Sequence, residues 1–187
     1  MSPRITGDIG LRAFTRGKRV GVDQAIREQE FTEFAIARAE KLRRTAFLLC
    51  GDWHRAQDLT QISLAKAYAA WHRIHGDGAV EAYVRQIIVR EFLTQQRRRS
   101  WHEQPSDALP EQALDGGQER AELRLSLLAA LARLAPKRRA VVVLRYWEDR
   151  SVEETASVLR MSRSAVKSAS LRALADLRVL LDEDLRV

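Results

Sequence analysis

Between Trp101 and Glu119 the helical rhythm of this chain stops. The interval holds two prolines, two glycines and five acidic residues, with no Lys or Arg and no apolar period. Such a stretch reads as a flexible acidic linker, because proline lacks the amide a helix needs and glycine loses too much freedom on ordering. It divides the chain into two helical blocks, 30–100 and 120–187, each long enough for one small domain. The expected class is all-α, two small helical domains joined by that linker.

In the first block, Phe31, Phe34, Ala35, Leu42, Ala46 and Leu49 fall at three-and-four spacing from about Glu30, and Gly51 ends the helix they predict. A second helix, from about His54 to His72, sets Ala56, Leu59, Ile62 and Ala69 on one side. A third, from about Val80 to Arg99, follows the Gly76-Asp77-Gly78 break and buries Tyr83, Ile87 and Phe92. Ahead of them, residues 1–29 carry four glycines and scattered basic residues without a period, which predicts a flexible basic extension.

The formal net charge of +7 favours a polyanionic partner, either nucleic acid or an anionic membrane surface. A lone cysteine, Cys50, excludes an intrachain disulfide and sits in an apolar stretch where a buried, inert thiol is expected. No apolar run approaches the roughly 18 residues of a membrane span, and the basic start lacks the apolar core of a secretory signal, so the expected place is the cytoplasm without membrane insertion. His54, His72, His75 and His102 form no metal-ligand spacing with Cys or carboxylates. With no phosphate-cradling glycine loop and no nucleophile–base set, the chain reads as no enzyme, with no cofactor and no metal.

The second block holds the sharper pattern. A leucine-rich amphipathic stretch, Arg120 to Leu134, is broken by Pro136, and another helix begins at Lys137 and runs to Trp147. Ser151-Val152-Glu153-Glu154 fits a capping box that opens a helix over 152–159, and Ser162 can cap another over 163–181. Small Ala156 lets these two cross closely, while Leu159, Met161, Val166 and Ala169 point inward. The result is a helix-turn-helix. Arg163, Ser164, Lys167, Ser168 and Arg172 lie outward on its second helix, able to meet base edges in a major groove. Arg160 stands at the turn position often given to glycine, where a left-handed backbone is costly for any other residue, and a turn of different shape is the alternative.

Asp58-Leu59-Thr60-Gln61 in one helix, Ala82-Tyr83-Val84-Arg85 opening the next, and Ser162 to Ser168 downstream resemble an extracytoplasmic-function sigma factor of the sigma-70 family, over about Phe31 to Leu181. The resemblance implies a factor that joins core RNA polymerase and directs it to promoters. It implies that the first domain docks on the clamp of the largest subunit and opens minus-10 DNA, while the second binds minus-35 DNA and the flap of the other large subunit. Asp58 and Gln61 match the docking helix, and Leu64 and Tyr68 lie beside them on the same face. Arg85, Arg90, Arg97 and Arg98 become candidate minus-10 contacts, with the base-capturing loop at Ile74 to Val80, and Arg163, Ser164, Lys167, Ser168 and Arg172 become minus-35 contacts. Arg90 and Thr94 depart from the Asn and Asp that many relatives carry. An anti-sigma protein is a further implied partner. Two other readings remain at this stage: a helix-turn-helix regulator that never joins polymerase, and a helical protein-interaction module.

Overall fold

A computed structural model describes residues 10–74, 78–99 and 118–184, with side chains over 24–74, 78–98 and 122–183. The expected linker lies outside the described residues over 101–117, as do 75–77 of the expected base-capturing loop and the first nine residues of the chain.

Helix α1 runs from Gly10 to Cys50, α2 from Trp53 to Ala70 with a 3-10 turn over Trp71–Arg73, and α3 from Ala79 to Arg99. The first helix thus begins well before Glu30. Side-chain bonds four residues apart, Gln24 to Glu28 at 2.9 Å and Gln29 to Glu33 at 3.0 Å, support its early turns on the surface. Glu28 also accepts from the Tyr68 hydroxyl at 3.3 Å, and Phe31 packs its ring 5.0 Å from Tyr68 and 5.3 Å from Trp71. At the other end Gly51 takes the left-handed φ of 72° that closes the helix, and Asp52 caps α2 by accepting from the Arg55 amide at 2.8 Å.

The buried stripe of α2 is Ala56, Leu59, Thr60, Ser63, Ala67 and Ala70. Ile62 and Ala69, expected on that stripe, are exposed instead. Thr60 and Ser63 take the inner places because their hydroxyls donate to the carbonyls of Ala56 and Leu59, each at 2.7 Å, and so lose no hydrogen bond on burial.

The second half contains α4 (Gln118–Arg133), α5 (Pro136–Val142) with a π-helical turn over Val143–Trp147, α6 (Val152–Leu159) and α7 (Arg163–Asp184). No strand occurs among the described residues. The two blocks do not stand apart. Ala140, Val143 and Leu144 belong to the same buried cluster as Leu42, Leu49, Leu59, Val84, Ile88, Val89 and Phe92. Helix α3 therefore has a core on two sides, with Val84, Ile88 and Val89 sealed besides the expected Ile87 and Phe92, while Tyr83 is half-buried. An apolar run such as Ile87-Ile88-Val89 points in three directions around a helix, the mark of an element enclosed rather than half-exposed.

Candidate nucleic-acid interface

The helix-turn-helix forms as its local chemistry dictates. Ser151 Oγ accepts from the Glu154 amide at 3.0 Å, and Glu154 accepts from the Ser151 amide at 2.7 Å. Those bonds, the Ser151 amide foremost, hold the Glu154 carboxyl below the usual range. At the far end Arg160 adopts φ 52° and ψ 52°, its amide turning back to Ser157 and Ala156 while the Met161 amide reaches the Ala156 carbonyl at 3.0 Å. This is a Schellman turn closed by a non-glycine residue. Ser162 then caps α7, accepting from the Ala165 amide at 3.1 Å. Val141, Ala156 and Val166 form the small core behind the turn, with Leu159, Met161 and Ala169 packed on it.

With that face turned inward, Arg163, Ser164, Lys167, Ser168 and Arg172 are all exposed on α7. Arg163 makes one loose surface pair, 3.5 Å to Glu153. A rigid helix presenting three cations and two hydroxyls from its first turns has the chemistry to pair with base edges and phosphates.

The candidates on α3 divide. Arg97 and Arg98 are exposed near its C-terminus, and Arg90 is half-buried. Arg85 does not face solvent as a phosphate contact must: only 3% exposed, it places Nε 2.7 Å from Glu148 Oε2 and Nη2 2.8 Å from Glu81 Oε1. It turns inward because α3 is covered there by the second half. Glu148 is itself 5% exposed and also accepts a hydrogen bond from the Thr45 hydroxyl. Glu81 is ringed by cations, with Lys41 at 2.8 Å and Arg38 at 3.3 Å. Burial opposes its ionisation, but Lys41, Arg85 and Arg38 together hold its carboxyl below the usual range.

The docking candidates share one side of α2. Asp58 and Gln61 are exposed, Leu64 is half-buried against the core, and Tyr68 is exposed while engaged by Phe31 and Glu28 of α1. Trp71 joins the same aromatic group, edge-on to Phe31 and 5.6 Å from Phe34. Cys50 is buried, and desolvation pushes its thiol up.

Sequence reasoning missed the polar groups that join the halves. Arg139, on α5, donates to the carbonyls of Leu49, Ala132 and Leu134, and burial pushes its guanidinium down to about 10. Across a groove of 780 Å³, Arg90, Leu93, Thr94 and Arg97 of α3 face Pro136 and Lys137 of α5 and Val158 and Leu159 of α6, with Arg160 beyond. Arg139 closes the basic run Lys137-Arg138-Arg139 just ahead of Ala140-Val141-Val142, so nothing in the local sequence sets it apart from a solvated cation.

Residues 36–102 match the family described as Sigma-70 region 2, and residues 124–177 match Sigma-70, region 4. An RNA polymerase sigma-E factor of Streptomyces coelicolor is 42% identical over 149 residues, covering 80% of this chain and 84% of that protein. An ECF RNA polymerase sigma factor SigE of Mycolicibacterium smegmatis is 32% identical over 155 residues, 78% of this chain and 59% of that one. Among solved structures, the sigma factor RpoE of Bartonella quintana, in complex with the anti-sigma factor NepR, aligns with a TM-score of 0.70 at 24% identity, covering 82% of this chain and 98% of that chain. That likeness is one of fold.

Proposed function

The chain belongs to the sigma-70 family of RNA polymerase sigma factors, in its extracytoplasmic-function group, and from this premise we propose how its two halves divide the work. It is a transcription initiation factor, binding core RNA polymerase and directing it to promoters. In the proposed division, the block 30–100 docks on the clamp of the largest subunit through Asp58, Gln61, Leu64 and Tyr68. The same block holds separated minus-10 DNA through Arg90, Arg97 and Arg98, joined by Arg85 once Glu148 lets go of it. The block 120–187 reads minus-35 DNA through Arg163, Ser164, Lys167, Ser168 and Arg172 and meets the flap of the second large subunit. The linker keeps each half at high effective concentration near its site. No catalytic step falls to the chain, it works in the cytoplasm, and an anti-sigma protein is the regulator this reading implies.

The observation that supports this most is the recognition surface: five outward polar side chains on one rigid helix, backed by a built turn and core. Run-off transcription on fragmented genomic DNA of the source organism, with purified core polymerase, tests it. Discrete transcripts that require the chain, and that weaken with Asp58→Ala or Gln61→Ala while duplex binding persists, are the expected result. Specific duplex binding without any transcripts would instead make it a regulator that never joins polymerase.

A further inference from the structure

Helix α6 lies against α3, so the end of α6 in the helix-turn-helix and the candidate minus-10 residues Arg90 and Arg97 face each other across a single groove. The minus-35 and minus-10 elements are about 25 base pairs apart, or about 85 Å at ~3.4 Å per base pair. One molecule in this arrangement cannot reach both. The halves must separate before both elements are read, and what holds them together decides how readily they do.

Two kinds of contact hold them. One is the shared apolar cluster of Phe92, Val89, Ala140, Val143 and Leu144. The other is a set of buried polar bonds, in which Arg139 of α5 donates to the Leu49 carbonyl of α1 and Glu148 meets both α1 and α3. The π-helical turn widens the chain by one residue, and the Glu148 amide closes it on the Val143 carbonyl at 3.0 Å. Its side chain is directed into the junction while Tyr146 and Trp147 stay exposed. There the carboxylate meets Thr45 of α1 and Arg85 of α3. An anionic oxygen thus occupies the place on Arg85 that a DNA phosphate would take.

We infer that Glu148 is an intramolecular latch: it competes with promoter DNA for Arg85 and holds the two DNA-reading halves shut until polymerase parts them. This rests on the promoter reading above. The competition is between two oxyanions for one guanidinium, and inside the closed junction the carboxylate has the advantage of being already in place. Releasing it does not strand Arg85, which keeps Glu81 four residues back on its own helix.

The test uses the full-length chain carrying spin labels at Gln57→Cys on α2 and Ala175→Cys on α7, both exposed positions, with buried Cys50 left in place. Pulsed electron-spin distance measurements should give one short population in the otherwise unaltered chain and a second, longer one in Glu148→Gln. The same variant should bind fluorescein-labelled oligothymidylate several-fold more tightly, with a salt slope steeper by about 0.7, the signature of one more phosphate contact on single-stranded DNA. Thr45→Val, which removes only the hydroxyl that donates to the carboxylate, should lengthen the distance in part. Unchanged distances in Thr45→Val and in a folded Glu148→Gln would overturn the latch, and an unchanged distance in Thr45→Val alone does so if Glu148→Gln fails to fold. Failure of the promoter reading looks different: the longer distance appears, yet no form of the chain binds DNA.

Discussion

Arg139 Nη1 lies 2.8 Å from the carbonyl oxygen of Leu49, ninety residues earlier in the chain, and the same guanidinium serves the carbonyls of Ala132 and Leu134. These are carbonyls at the C-terminal ends of α1 and α4, which helical geometry leaves without amide partners. One buried cation therefore caps two helices from two halves of the molecule. Arg139→Met keeps much of the stem but strands those oxygens, and should lower stability by about 3 kcal/mol. Urea unfolding followed by circular dichroism measures this; a loss under about 1 kcal/mol would show that the capping is incidental.

Glu81 gives a pH prediction. Its folded-state pKa lies below the ordinary 4.5, so its contribution is complete above that value and is lost as pH falls through the folded one. The stability difference between the native chain and Glu81→Gln should thus be constant near neutrality and shrink in acid below about pH 4.5. A difference that stays the same at every pH down to acid unfolding would remove the ion-pair explanation.

Arg160 occupies the left-handed turn at a steric cost that glycine does not bear. Arg160→Gly should raise stability by about 1 kcal/mol, and Arg160→Val should lower it by a similar amount or more. Thermal melts of the two variants decide it, and equal midpoints would mean the turn has another way to relax.

On α7, Lys167→Ala or Arg172→Ala should weaken minus-35 duplex binding by about 1–3 kcal/mol if the contact is to a base, with a loss that depends on sequence. A loss equal across all sequences, with a shallower salt dependence, would assign the residue to phosphate instead. Unchanged affinity in both variants would move the recognition surface off this face.

What was legible in the sequence was local. The Ser151–Glu154 box and the Ser162 cap depend on residues within a few positions of one another, and each stands where the spacing places it, while the shape of the Arg160 turn is open in the sequence and left-handed in the structure. The helix-turn-helix core of Ala156, Val166 and Met161 follows from the same periodicity. Ile62 lies outside while Thr60 and Ser63 lie inside because an apolar period counts only apolar side chains as inward, whereas these two satisfy their hydroxyls on their own helix. The inward turn of Arg85 was beyond reach: its partner Glu148 is 63 residues away, and charge pairing at that range leaves no period to read. The early start of α1 was hidden by its glycines, although the Gln24–Glu28 and Gln29–Glu33 pairs were written in its side chains.

The shared core of Phe92, Val89, Val143 and Leu144 also gives the molecule a thermometer. Parting the halves wets apolar surface, and the penalty for doing so shrinks on cooling because water accommodates such surface more easily in the cold. That apolar grip loosens in the cold, against the freedom gained on opening, which counts for more in the warm.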